Sequence, residues 1–492
     1  MIRIGSEIIK KQPKFWNHAL FHPTDAIEDP WGKRILDRIS EDGAIKTVRI
    51  YSMFEDIVSV GEDGALCYDF HLSDLRLDYL LDKGFELLIA YGGMPGCIAS
   101  SVDRAISMSK NKTRYKGKLW HSAPPRDYAL WEEICFVYTS HLVERYGEET
   151  VANWHCQCFN EPDGSFWMAG HPHQDYETRC GEYCKLYDAF VRGVRRASRG
   201  IRVGGPALAH HTPFLDLFLS HVKETGVELN YVALHTYGTG PDKLNSGERP
   251  LATENHFVYA IEPYRAVMRK YGFENVEMIL DEWGAASHGF YNVEECPKLL
   301  FRENEIFSAY FSRLVYQLIE SEIPISKLMI CLSGQHEMRT DFSGFRNFFT
   351  LNFIAKPIYN AHLMTSKMGD YLVRSDCENE NVFTVPTKDE NGNYAVMLTY
   401  CATHFEEDLP DVEELLTLDE DISDKTVTVY CIDKNNNNPY RMWERAGKPE
   451  MTEEMIGALR EEGRLKPVRI QRGSEPIALT LTPNATFLIT AE

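Results

Sequence analysis

The chain has 492 residues, 43% of them apolar and 25% charged, which are ordinary globular values for a protein too long for one small core. Its 52 Lys and Arg stand against 73 Asp and Glu, and the formal net charge of −21 argues against nucleic acid or an anionic membrane surface as a partner. No apolar run approaches the roughly 20 residues of a spanning helix, and the N-terminal MIRIGSEIIKKQPKF has no long apolar segment or small-residue cleavage site. Without an export signal, the twelve cysteines read as reduced thiols of a cytoplasmic protein. Cys156-x-Cys158 and Cys180-x-x-x-Cys184 do not complete a set of zinc-ligand spacings.

Short apolar runs alternate with amphipathic ones along the first three hundred or so residues. The first run is 15–21, followed by a helix opening at Asp29-Pro30, where proline fits the first turn. TVRIY at 47–51 and LLIAY at 87–91 flank the helical SDLRLDYLLDKG, and a long polar insertion then runs from Pro95 to about Arg126. A helix over 128–146 leads to a fourth strand, 154–159, which ends in Asn160-Glu161-Pro162. A helix over 176–198 precedes IRVGGP at 201–206, and a helix over 214–225 precedes YVALHTY at 231–237. A helix over 263–271 precedes VEMILDEW at 276–283, and a helix over 303–322 precedes LMICL at 328–332. Eight such alternations with near-continuous apolar strands predict an α/β fold, a closed parallel (β/α)8 TIM barrel over 13–358. An open doubly wound sheet is disfavoured because no glycine-rich phosphate loop follows the first strand.

Beyond residue 359 the texture changes to short strands, among them NVFTVPT, YAVMLTY, TVTVYCI, IALTLT and ATFLIT, with one helical excursion over 452–462. Residues 359–492 therefore read as a smaller β-sandwich domain, with residues 1–12 contributing an edge strand.

In such a barrel the carboxyl ends of the strands line the active site. Glu161 ends strand four, where Pro162 turns the backbone out of the sheet, and Glu282 ends strand seven. A pair of carboxylates across one bowl is what glycoside hydrolysis needs, one protonated to give a proton to the departing oxygen and one ionised to attack the anomeric carbon. Glu161, beside the Asn160 amide and the solvent-open turn, fits the acid/base. Glu282, after the apolar MIL and before Trp283, fits the nucleophile. Asp281 alternates to the other face of its strand. His235 and Tyr237 share a face two residues apart, in reach of the nucleophile, and Arg49 with Tyr51 shares a face of strand two. Phe166, Trp167, Trp283 and Phe345 are candidate sugar-stacking walls, each with a core role as its rival. His171-x-His173 resembles a metal pair, but it lies on a polar loop without a further placed ligand.

WHCQCFNEPDGSFW, YVALHTY and MILDEWG, in that order, resemble glycoside hydrolase family 39, the β-xylosidase and α-L-iduronidase family of clan A. The similarity extends to PPRDYALWEEICFVYTSHLVERYG, to GFRNFFTLNFIAKPIYNAHLMTSKMGD and to the tail, nearly the whole chain. It implies a retaining mechanism with Glu161 as acid/base and Glu282 as nucleophile, roles for Asn160, His235 and Tyr237, and no metal or organic cofactor. Self-associating relatives imply a homo-oligomer. Two stretches depart from the family pattern: Arg49-Ile-Tyr51, where a histidine usually follows the arginine, and LMICLSGQHEM, where many members carry aromatic residues and an Asp. Gln335, His336 and Glu337 are the candidates to replace those contacts. The expected activity is an exo-glycosidase releasing one sugar from a short oligosaccharide, xylose by resemblance, with β-galactose, α-L-arabinose and a uronide as alternatives. A non-catalytic sugar-binding barrel and a metal-dependent hydrolase are the rival classes.

Overall fold

The computed structural model describes residues 1–492 except 104, 107–119, 169–174, 249–250, 252, 254, 288, 290, 334–336 and 406. His171, His173, Gln335 and His336 therefore lie outside the described residues. Eight parallel strands close a barrel in chain order: β1 (His18–Phe21), β2 (Thr47–Tyr51), β3 (Glu86–Tyr91), β4 (His155–Cys158), β5 (Arg202–Leu208), β6 (Tyr231–Thr239), β7 (Glu277–Ala286) and β8 (Ile325–Leu332). Leu88, Ala207, Tyr231, Ala233, Ile279 and Met329 form one cluster in the barrel interior. Leu20, Tyr51, Met53, Ala90, Trp120 and Cys331 form a second cluster. These clusters pack the interior, and a cavity opens at the C-terminal mouth.

Helix boundaries follow local chemistry. The helix Pro30–Glu41 carries proline in its first turn, and Tyr128–Tyr146 is capped by Asp127, whose side chain accepts from the Ala129 amide. One helix begins earlier than proline suggests. Asn255–Tyr271 runs through Pro263, and the carbonyl four residues back belongs to Tyr259, an exposed residue open to water.

The second domain is one nine-stranded sheet that curls over on itself. Its order is Pro467–Arg472, Thr426–Ile432, Ala485–Ala491, Tyr394–Tyr400, Val382–Lys388, Tyr371–Cys377, Ile2–Lys11, Val412–Leu418, Ile477–Leu481. Side chains from both halves, such as Val427, Val429, Leu416 and Leu479, meet in one core, which makes the curl a sandwich. YAVMLTY is buried along its whole length because both faces are covered. Val396 and Leu398 enter the sandwich core, while Ala395 and Met397 join the barrel's core. Across this junction Arg313 donates to the Ala402 carbonyl at 2.6 Å, and Asn438 and Arg441 hold the buried Glu305 at 2.8 and 2.7 Å.

The N-terminal strand corrects the expectation of an edge position. Ile2–Ile4 pairs on both sides, antiparallel with residues 375–377 and parallel with Leu416–Leu418, so it lies inside the sheet. Ile2 and Ile4 are fully buried there, whereas the more exposed remainder pairs on one side only.

Candidate active site

The site is assembled at the C-terminal mouth of the barrel, from the ends of β1, β2, β4, β5, β6, β7 and β8 and from the segments that follow them. A cavity of about 580 Å³ opens there, lined among the described residues by Tyr51, Asn160, Glu161, Phe166, Tyr237 and Glu282, and by His22, His210, Cys331 and Arg346. That size suits a small ligand rather than an extended cleft.

Glu161 does not sit on the strand proper. β4 stops at Cys158; Phe159 and Glu161 both take the left-handed backbone conformation (φ +63° and +44°), which turns the chain out at the strand end. The Glu161 amide donates to the Ala207 carbonyl at 3.0 Å, and its own carbonyl accepts from Gly164 at 2.9 Å. Across the cavity, β7 is bulged. Leu280 pairs with Leu234, but the next residue of β6, His235, pairs with Glu282. The extra residue is Asp281, and it resets the alternation of the strand. Asp281 therefore points into the barrel beside Glu282 rather than away from it, correcting the period-two reading: its Oδ2 is 3.0 Å from Arg49 Nε and 3.5 Å from His235 Nε2.

Around Glu282 the donors converge. Arg49, with no exposed surface, donates from Nη1 to Glu282 Oε1 at 2.7 Å and from Nη2 to Asn160 Oδ1 at 2.7 Å. Tyr237 donates to Glu282 Oε2 at 2.5 Å, and Tyr51 lies 3.3 Å from Oε1. Burial opposes the charge on Glu282, yet His235, Arg49, the Tyr237 hydroxyl and Arg346 outweigh it and bring its pKa down to about 2. Glu161 goes the other way. Burial raises its pKa, the nearby Glu282 and Asp163 charges reinforce the rise, and His235 only partly offsets it.

His235 lies between the two carboxyl groups, with Nδ1 2.8 Å from Glu161 Oε1 and Nε2 3.6 Å from Glu282 Oε1. Burial disfavours its charge, but Glu282 and Asp281 overcome that and hold the imidazolium well above the ordinary histidine range. One oxygen each of Glu161 and Glu282 and a ring nitrogen of His235 lie within 4.8 Å of one another. A metal would need the imidazole neutral, whereas this ring is held protonated between acids. Because the Asn160 amide oxygen is taken by Arg49, its NH2 remains available as a donor.

Several expected wall residues are elsewhere. Trp283 follows the bulge and faces outward, fully buried among Phe257, Phe307 and Phe311. Trp167 is also core, packed on Phe159 and donating from Nε1 to the Arg179 carbonyl at 3.0 Å. Phe345 and Glu337 are buried and do not line the cavity. Phe166 does, and behind it stands Trp120 of the Pro95–Arg126 insertion, 5.8 Å from Phe166 and 4.6 Å from Tyr51 between ring centres. Gly93 permits that approach, since a Cβ there would meet the indole at 2.4 Å.

Sequence reasoning missed Arg346. It is 8% exposed, stacks 4.7 Å from the Tyr237 ring centre and donates from Nε to Ser333 at 3.2 Å, while its Nη1 has no hydrogen-bond partner among the described residues. The loop is held by Lys356 on the Phe345 carbonyl (3.0 Å) and by Arg302 and Glu303 on the carbonyl and amide of Gly344 (3.0 and 2.6 Å). A charged residue inside the aromatic run GFRNFF was the available signal.

A (β/α)8 barrel with this pair of carboxylates in a pocket at its mouth defines a glycoside hydrolase. The chain belongs to glycosyl hydrolases family 39, whose family model matches residues 2–471. A β-xylosidase of Caldicellulosiruptor saccharolyticus is 24% identical over 486 residues, covering 94% of this chain and 90% of that one. Human α-L-iduronidase is 27% identical over 215 residues, which span 39% of this chain and 28% of that protein. In fold, the chain matches a monomeric β-xylosidase from Caulobacter crescentus CB15 with a TM-score of 0.82 at 19% identity, covering 100% of this chain and 99% of that one. Among the described residues, no helix is long and apolar enough to cross a membrane.

Proposed function

We propose that the protein is a retaining exo-glycosidase that works by double displacement, with Glu282 as nucleophile and Glu161 as acid/base. The observation that carries this reading is the approach of the two carboxyl groups, with oxygens within 4.8 Å, joined to opposite shifts of their pKa values. A retaining pair stands roughly 5–5.5 Å apart, whereas an inverting pair leaves room for a water at roughly 6.5–9.5 Å. In the first step the ionised Glu282 bonds to the anomeric carbon as the glycosidic C–O bond breaks, and the Glu161 proton passes to the departing oxygen. With Oε1 of Glu161 facing His235, that proton resides on Oε2. In the second step the Glu161 carboxylate takes a proton from water, the water oxygen bonds to the anomeric carbon, and Glu282 departs as carboxylate.

The relatives that span most of the chain are β-xylosidases, which makes a terminal β-xyloside the first-choice substrate. A specific observation supports a second reading. The unpartnered Nη1 of Arg346 in the cavity wall would suit a carboxylate on the sugar, as a uronide carries.

The test is nitrophenol release from aryl β-xyloside, β-galactoside, β-glucoside, α-L-arabinoside and a uronide, by wild type and by Glu282→Ala with and without azide. The expected result is one preferred sugar, loss of turnover in the variant, and recovery with azide as a glycosyl azide of inverted configuration. Undiminished turnover in Glu282→Ala would overturn the nucleophile assignment, and a rate abolished by chelators would favour a metal-dependent hydrolase.

A further inference from the structure

We propose that Asp163 is a positioning residue for acid catalysis: it fastens the turn that carries Glu161 to the loop leaving β5, and so holds the Glu161 carboxyl against His235. This rests on the reading of Glu161 as the acid/base. Asp163 is two residues past Glu161, does not line the cavity, and is 2% exposed. Its Oδ1 accepts from the Ala209 amide at 2.9 Å, and its Oδ2 accepts from the amides of His210 and His211 at 2.9 Å each. One buried carboxylate thus takes three backbone donors from a single stretch, the one that leads into the helix Thr212–Thr225.

The need for such a fastening lies in the backbone. Glu161 holds a left-handed φ of +44°, a conformation that costs a non-glycine residue on the order of 1 kcal/mol and persists only where neighbours over-determine it. The residue it bonds to on β5, Ala207, is left-handed as well (φ +57°), so both sides of the junction hold a conformation that their neighbours must maintain. Arg179 braces the far side of the turn through the carbonyls of Pro162 and Trp167, at 2.9 and 3.0 Å. Asp163 supplies the lateral tie. Its charge also works with burial to keep the Glu161 proton bound.

A plain structural role, holding the stretch that precedes the helix Thr212–Thr225, would also make Asp163 important. Leaving-group dependence separates the two. Protonation matters greatly for a poor leaving group and little for 2,4-dinitrophenolate, and general acid catalysis contributes about 10²–10⁴-fold. The experiment compares alkyl and 2,4-dinitrophenyl glycosides of the preferred sugar on wild type, Asp163→Asn, Asp163→Ser and Glu161→Ala. For Asp163→Asn the expected result is a loss of about 10²-fold in kcat/KM on the alkyl glycoside, a loss of a few-fold on the dinitrophenyl one, and an alkaline limb moved to lower pH. Asp163→Ser, whose single short hydroxyl cannot take all three amides, should show the same contrast and serves if Asp163→Asn does not fold. Equal losses on both substrates, or none, in the Asp163 variants while Glu161→Ala shows the contrast would overturn this inference alone. Absence of the contrast in Glu161→Ala would instead overturn the acid/base assignment.

Discussion

Arg49 and Glu282 form a buried ion pair at 2.7 Å, and the same guanidinium spans Asn160 and Asp281. One side chain thus orients the proposed nucleophile, fixes the amide beside the proposed acid/base and lies against a second buried acid. Lysine offers one point charge where these partners use a planar fork. Arg49→Lys is expected to lower kcat/KM by about 10²-fold or more. Arg49→Met leaves Asp281 and Glu282 buried without their cation, and unfolding in urea should show a loss of about 3–5 kcal/mol. A variant that keeps both stability and rate would show the pair to be dispensable.

The pH profile follows from the donors on Glu282. Its pKa of about 2 leaves the proposed nucleophile ionised through the mildly acid range, so its titration is expected to set no limb near the ordinary glutamate value. Tyr237 donates one of the bonds that favour the charged form. Removing it in Tyr237→Phe moves the folded pKa up, and the acid limb of kcat/KM should appear at higher pH than in wild type. An unmoved limb with reduced rate would assign Tyr237 to substrate contact instead.

Which features were legible in the sequence depended on whether local periodicity survives in the fold. Glu161 and Glu282 were legible because proline after Glu161 and the apolar run before Glu282 mark strand ends, and in a parallel barrel those ends converge. Asp281 was misread because a regular strand would put it on the face opposite Glu282, and the bulge there changes the count by one. Trp283 alternates away from Glu282 as a regular strand would have it, and only its residue type suggested a wall. Trp167 looked like a platform by residue type, yet its indole is consumed by packing on Phe159 and by the Arg179 carbonyl. Arg346 escaped because it follows β8 on irregular backbone, where no period says which way a side chain points. Its place is set by long-range contacts from Arg302, Glu303 and Lys356.

Arg346 gives the specificity prediction. A buried guanidinium with a free N–H is costly to leave unpaired and rewards a substrate that supplies a charged acceptor. Arg346→Leu should lower kcat/KM for an aryl glycoside bearing a carboxylate about 100-fold more than for the neutral sugar without it. The ratio of the two rates in the two proteins is the measurement. An unchanged ratio would remove Arg346 from sugar recognition and leave it as a support for the Tyr237 ring.

The opposite end of the barrel carries a device for stability rather than chemistry. Glu277, at the start of β7, accepts from Ser326 of β8 at 2.6 Å and meets His155 of β4 at 3.2 Å and Arg202 of β5 at 2.5 Å. Four strand starts are thereby tied through one carboxylate that is 12% exposed. Burial opposes its charge, but His155, Ser326 and Lys327 prevail and take its pKa from 4.5 to about 2. A folded pKa below the unfolded one stabilises the fold above the unfolded value, and that contribution is lost as pH falls through the folded value. At 1.36 kcal/mol per unit, the shift corresponds to about 3 kcal/mol at pH 7 and about half of that by pH 3. Glu277→Gln should therefore lower unfolding stability by up to about 3 kcal/mol at pH 7, with the gap to wild type narrowing towards pH 3. The rate per folded molecule should not change, because Glu277 lies at the end of the barrel away from the cavity. A gap that stays constant with pH would mean that packing, not ionisation, accounts for the contribution of Glu277.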